Sequence, residues 1–165
     1  MRATVSFQFQ KTSLTNFKAQ CEAAIRNLGR GTKKATIAAC EEILAASLLE
    51  VPRDTQTLAA SGFYKVSKRT DVKSYAYEGV VGYGGNGDPV NPKTGHLSSS
   101  YMVAVHEDMN AKHLIGKAKF LEDPVREYGS TRFEKTIFKY AQESLATMSS
   151  KEADEGGPET LESEE

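Results

Sequence analysis

From Ala3 to Gln10 the chain alternates, with Val5, Phe7 and Phe9 on one side and Ser6, Gln8 and Gln10 on the other. A period of two is that of a half-buried strand. The period then changes. Leu14, Phe17, Cys21, Ile25 and Leu28 recur every three or four residues, which puts them on one stripe of a helix capped by Thr12 or Ser13. Gly29 and Gly31 predict its end, since glycine tolerates the left-handed turn that closes helices. A second helix is expected from Thr32 to Glu50, with Ile37, Cys40, Leu44, Leu48 and Val51 as its apolar stripe and Pro52 as its stop.

Beyond Pro52, three segments rich in aromatic and β-branched residues read as strands: Phe63–Lys68, Tyr75–Tyr83 and Ser100–His106. Tyr75, Tyr77, Val81 and Tyr83 share a face that Gly79 interrupts, and Thr70-Asp71 suits the turn of an antiparallel hairpin. The glycine-, proline- and asparagine-rich stretch from Gly84 to Ser100 reads as a long mobile loop. Asp123-Pro124 opens a further helix, Gly129 weakens it, and Thr131-Arg132-Phe133-Glu134 restarts it as a capping box. Phe133, Ile137, Tyr140, Ala141, Leu145 and Met148 form its core stripe. The expected class is therefore α+β: an N-terminal strand and helical pair, an antiparallel sheet of about four strands, and a C-terminal helix.

Charge adds a division that the periodicity does not show. Residues 151–165 hold seven acids (Glu152, Asp154, Glu155, Glu159, Glu162, Glu164 and Glu165) and one base, Lys151, with Leu161 as the one sizeable apolar residue. The tail is thus −6 in a chain of net −1, leaving +5 on residues 1–150. Two units are expected: a single α+β domain over 1–150 and a disordered acidic tail over 151–165, which has too little apolar surface to offset the entropy of ordering. At 165 residues with 39% hydrophobic content, one domain can build its own core. No apolar run is long enough for a membrane helix, and no secretory leader is expected at the N-terminus. Cys21 and Cys40 sit on apolar helix positions and read as buried free thiols.

Several patterns invite a chemical reading. Gly82-Tyr83-Gly84-Gly85-Asn86-Gly87 matches the dinucleotide fingerprint. Asp88-Pro89-Val90-Asn91-Pro92 follows, though, where that motif requires a helix to hold the pyrophosphate. His106-Glu107 and His113 place two histidines seven apart, whereas a helical zinc motif needs four; Asp108 and His96 add no ligand spacing. Gly116-Lys117 lacks the upstream glycine of a P-loop, and no nucleophile elbow is present. Arg26, Arg30, Lys33 and Lys34 form a basic cluster, read as the solvated turn between the two helices, with contact to DNA backbone as the alternative. No catalytic, cofactor-binding or metal-ligating residue is assigned, and the expected activity is non-enzymatic.

Three segments in order carry a resemblance. Val51-Pro52-Arg53-Asp54-Thr55-Gln56-Thr57-Leu58 with Ser61 is similar to the VP-x-DTG-x-L-x-x-S stretch of phage neck and tail-completion proteins, which are often labelled minor capsid proteins. Gln56 stands where that family usually has glycine. Val80-Val81-Gly82-Tyr83 resembles the family's mid-sheet strand. Tyr101–Glu107, followed by Gly116-Lys117-Ala118-Lys119-Phe120-Leu121, is similar to its YAVYVHE…GQAKFLE stretch. The likeness spans residues 10–148, and the acidic tail lies outside it. It implies a structural virion protein of a long-tailed bacteriophage, a neck subunit joining head to tail and assembled in the host cytoplasm. The implied partners are further copies of the chain in a ring of six, a head-side adaptor or stopper, and a tail-tube or terminator protein, with DNA passing nearby. No cofactor is implied. The alternatives are a DNA-binding phage accessory protein and, behind it, a metal-dependent hydrolase.

Overall fold

The computed structural model describes residues 11–71, 75–85 and 87–155. The strand expected over residues 3–10 lies outside them, as do residues 156–165 of the expected tail. Seven elements follow in order: α1 (Lys11–Glu50), α2 (Thr57–Ala60), β1 (Phe63–Lys68), β2 (Tyr77–Gly82), α3 (Ser98–Glu107), α4 (Glu122–Thr131) and α5 (Phe133–Glu155). The chain is mainly helical, 58% of it, around one two-stranded antiparallel sheet. Among the described residues the sheet has two strands, not the expected four or so.

Two local readings account for that difference. The helical pair is one unbroken helix of 40 residues, about 60 Å long at ~1.5 Å per residue. Gly29 and Gly31 are buried and do not end it. A Cβ at Gly29 would collide with the Tyr75 ring, and one at Gly31 would lie 2.7 Å from the Tyr140 carbonyl oxygen and from Ser144 Oγ. Both glycines are where other elements come closest to α1. Each costs about 1 kcal/mol of helix propensity relative to alanine, and close packing offsets it. The second revision concerns Ser100–His106, which is helix within α3 and not strand. Tyr101, Met102, Val105 and His106 are half-buried while Val103 and Ala104 are exposed, which is the spacing of a helix face.

Asp88 fixes where α3 begins. Its carboxylate accepts the Ser99 backbone N–H at 3.1 and 3.2 Å and the Ser98 hydroxyl. The Ser98 and Ser99 bonds hold the Asp88 carboxyl below its ordinary pKa. The Gly84–Ser100 stretch is therefore pinned: Val90 bridges Leu97, and Lys93 Nζ meets Asp54 Oδ1 at 2.5 Å. The fingerprint glycines lead from β2 into this loop and not into a helix.

Other expectations hold. β1 and β2 pair antiparallel from Phe63↔Gly82 to Lys68↔Tyr77. Helix α1 stops before Pro52, and a break at Arg132 separates α4 from α5. The restart is not a capping box, because Thr131 Oγ1 donates back to the Glu127 carbonyl at 2.7 Å. Helix α5 continues to Glu155, so the first five residues assigned to the acidic tail are helical.

The core is small and lies toward the C-terminal end of α1. Val51, Leu58, Tyr83 and Phe120 form its centre, flanked by Leu44, Leu48, Tyr101, Met102 and Val105. The Tyr83 and Phe120 rings meet edge to face at 5.2 Å. Tyr83 Oη and Ser47 Oγ, both buried, share a 2.7 Å hydrogen bond that satisfies the one polar atom the ring carries inward. The second half of the α1 stripe is covered as expected, but the first half is not. Phe17 is 63% exposed, Ile25 54% and Leu28 38%, and Cys21 is exposed with them. On α5, Ile137, Tyr140 and Ala141 are half-buried while Phe133 and Leu145 are exposed; the side chain of Met148 lies outside the described residues.

The two thiols therefore differ, contrary to the expectation that both are buried. Cys40 lies under the hairpin where Gly79 crosses α1, and burial, followed by the nearby Glu41 carboxylate, raises its pKa. At pH 8, a thiol-reactive chromophore should modify Cys21 of the native chain rapidly and Cys40 at least tenfold more slowly. Equal rates would mean that the hairpin does not cover α1 as described.

Candidate functional site

The segments that carry the family resemblance converge on one junction. After Pro52, the Arg53 N–H donates to the Ile115 carbonyl at 3.3 Å, and the Lys117 N–H donates to the Glu50 carbonyl at 2.9 Å. These two bonds lay Ile115–Lys117 against the end of α1. Gly116 has φ +94°, and a Cβ there would lie 2.5 Å from the Pro52 nitrogen and 2.6 Å from its Cα. Glycine is required twice over, by conformation and by space. Lys117 Nζ bridges Glu50 at 3.2 Å and Asp123 at 2.8 Å, tying α1 to α4. Those partners raise the Lys117 pKa, and Lys117 lowers that of Asp123.

The turn after Asp54 is built differently from its expected form. Asp54 reaches across to Lys93, and the Thr55 and Thr57 hydroxyls meet at 2.7 Å. Gln56 takes a left-handed conformation at φ 59° and starts α2. A residue with a Cβ thus occupies a position that suits glycine. Leu58 pins the turn into the core as expected, and Ser61 Oγ donates to the Leu58 carbonyl at 2.7 Å.

The histidines are divided between packing and a surface cleft. His106 packs edge-on against Phe120 at 4.9 Å, its Nε2 accepting the Glu122 N–H at 3.3 Å. That leaves Nδ1 to donate to Glu107 Oε1 at 2.7 Å. Glu107 also pairs with Lys119. Lys119 and then His106 hold its carboxyl below the ordinary range. His96 and His113 instead line a cleft of about 540 Å³ with Arg53, Gln56, Tyr101 and Lys112. His113 Nε2 is buried without a hydrogen-bond partner among the described residues. Among those residues no three metal-ligating side chains come together. The basic residues Arg26, Arg30, Lys33 and Lys34 are exposed on successive turns of α1, where no inter-helix turn exists.

Exposed large apolar residues are spread over α1, the strands, the Gly84–Ser100 stretch, α4 and α5. Among them, Phe17, Ile25 and Leu28 lie toward one end of α1, Met109, Leu114 and Ile115 lie in the stretch that meets its other end, and Val103 is on the exposed face of α3. Sequence reasoning took Phe17, Ile25 and Leu28 for core and read Val103 as part of a strand. Met109, Leu114 and Ile115 fall between elements and give no periodic signal. No described helix is long and apolar enough to cross a membrane. No protein-family model, curated protein or solved structure matches the chain.

Gln56 and Gly116, two of the left-handed positions, give opposite expectations. Gln56→Gly relieves backbone strain and should stabilise by about 1 kcal/mol, raising Tm by ~2–4 °C. Gly116→Ala adds strain and a clash with Pro52 and should destabilise by about 2 kcal/mol or more. Thermal melts of both variants against the unaltered chain check the pair; a neutral Gly116→Ala would contradict the described junction.

Proposed function

We propose that the chain is a structural subunit of the neck of a long-tailed bacteriophage, one copy in a ring of six that joins head to tail. One observation carries this reading. Among the described residues the chain buries eight core hydrophobics and leaves seventeen large apolar residues exposed, among them Phe17, Ile25 and Leu28 toward one end of α1 and Met109, Leu114 and Ile115 near the other. Large exposed apolar patches mark surfaces that are covered in an assembly. Phe17 and the junction near Val51 are about 50 Å apart along α1 at ~1.5 Å per residue. Two different faces at opposite ends of a protomer are what head-to-tail contacts need, and such contacts form rings where the rotation closes. The ordered sequence resemblance points the same way and supplies the neck as the place, six as the copy number, and a head-side adaptor and tail-side protein as neighbours.

Complementation tests it. Heads and tails produced without this protein should accumulate separately, and adding the wild-type chain should join them. Phe17→Asp with Leu28→Asp changes only exposed side chains, so Tm should stay within about 2 °C while complete particles fall at least tenfold. Normal particles in the absence of the protein would end the connector reading.

A second reading has its own observation. Arg26, Arg30, Lys33 and Lys34 stand exposed on a helix that runs without interruption, which suits contact with a phosphate backbone. If DNA is held there, replacing all four with glutamine should abolish retardation of duplex DNA at low salt. It should also flatten the dependence of binding on salt, since each phosphate contact releases a counterion. If the unaltered chain does not retard DNA at low salt, this reading fails.

A further inference from the structure

The apolar strand pattern at the start of the chain cannot reach the groove that suits it within the same subunit. Val5, Phe7 and Phe9 precede Lys11, where α1 begins. An apolar groove of about 360 Å³ lies near the other end of that helix, lined by Phe63, Val81, Met102, Val103, Phe120 and Leu121. Phe120 packs on Tyr83, and Tyr83 is bonded to Ser47 of α1. Lys11 and Ser47 are about 54 Å apart along the helix at ~1.5 Å per residue. Ten extended residues span at most ~36 Å, and Phe7 reaches only ~14 Å from Lys11. A chain that folds back on itself cannot place Phe7 or Phe9 in the groove.

The groove also adjoins a sheet that can accept another strand. Among the described residues the hairpin has two strands, so both are edges. A free edge offers backbone N–H and C=O groups to an incoming strand, while neighbouring apolar pockets take its alternate side chains. Residues 3–10 carry that alternation, with two phenylalanines on the apolar side.

We propose that residues 1–10 of one subunit dock on this groove of the next, Phe7 and Phe9 seating on Met102 and Val103 of α3 beside Val81 and Leu121. The closed-ring stoichiometry rests on the connector reading; the arm-to-groove contact does not. An arm leaving one end of α1 and seating at the far end of a neighbour is a head-to-tail contact.

Two experiments on the full-length chain test it. A synthetic peptide of residues 1–10 should bind saturably, because a subunit's own arm cannot fill its groove. Binding should vanish when Phe7 and Phe9 of the peptide are serine, and weaken at least tenfold in the Val103→Asp protein, whose altered side chain is exposed and should not disturb folding. In a Cys21→Ser background, equal amounts of Phe7→Cys and Val103→Cys chains should form a mixed disulfide between molecules under oxidation. The proposal is overturned by no saturable peptide binding up to millimolar concentration, by unchanged binding to Val103→Asp, or by a Phe7→Cys/Val103→Cys double variant that closes within a monomer. If peptide and disulfide behave as expected but particles mature without the protein, the arm contact stands and the connector reading falls. If the chain joins heads to tails but the peptide does not bind, the reverse holds.

Discussion

Helix α1 is the surface on which both strands, α4 and α5 pack, and its closest contacts depend on glycine. At Gly29 the Tyr75 ring lies on the helix, and at Gly31 the Tyr140 carbonyl and Ser144 of α5 do. Where Gly79 crosses, the β2 backbone meets Thr36 and Cys40; past the helix end, Gly116 meets Pro52. At each of these points a single methyl group would force one element away from its neighbour. Dispersion falls off steeply with separation, so a gap of an ångström forfeits much of the attraction. For a chain with few large buried side chains, close backbone approach does the work that a thick hydrophobic core does elsewhere.

Packing is unevenly spread as a result. The C-terminal end of α1 is held by Val51, Leu58, Tyr83 and Phe120, by the Ser47–Tyr83 bond, and by the ties through Lys117. The N-terminal half bears Phe17, Ile25 and Leu28 uncovered. Local stability follows local burial, so the knit end is the rigid one and the bare half is where an assembly would add most. That division suits a subunit that folds alone at one end and is completed by neighbours at the other. The motif segments belong to the closely packed end, where Gly116, Pro52 and Leu58 meet.

Several features were legible in the chain because their signals are local. Aromatic and β-branched residues in β1 and β2, with a turn between them, are enough to specify a hairpin. Pro52 stops a helix because it constrains the residue before it and lacks an N–H. Leu58 and Ser61 fall where the ordered motif puts structural residues. The position of Gln56 was noticed as a departure from glycine, and its left-handed conformation explains why glycine suits that place.

The sequence by itself determined the hairpin, the helix stop at Pro52 and the break near Arg132, since each depends on backbone preferences within a few positions. Tertiary structure alone decided the rest. Ser100–His106 is rich enough in aromatic and β-branched residues to pass for a strand, but Asp88, ten residues before Ser98, supplies bonds that start a helix there. Gly29 and Gly31 look like a helix end, and whether glycine ends a helix or admits a neighbour depends on what arrives at that point. The stripe from Phe17 to Leu28 has the spacing of a buried face, but spacing states only that these residues share a side. Whether that side is covered depends on elements far along the chain, and Phe17, Ile25 and Leu28 stay exposed although Tyr75 and α5 pack at Gly29 and Gly31.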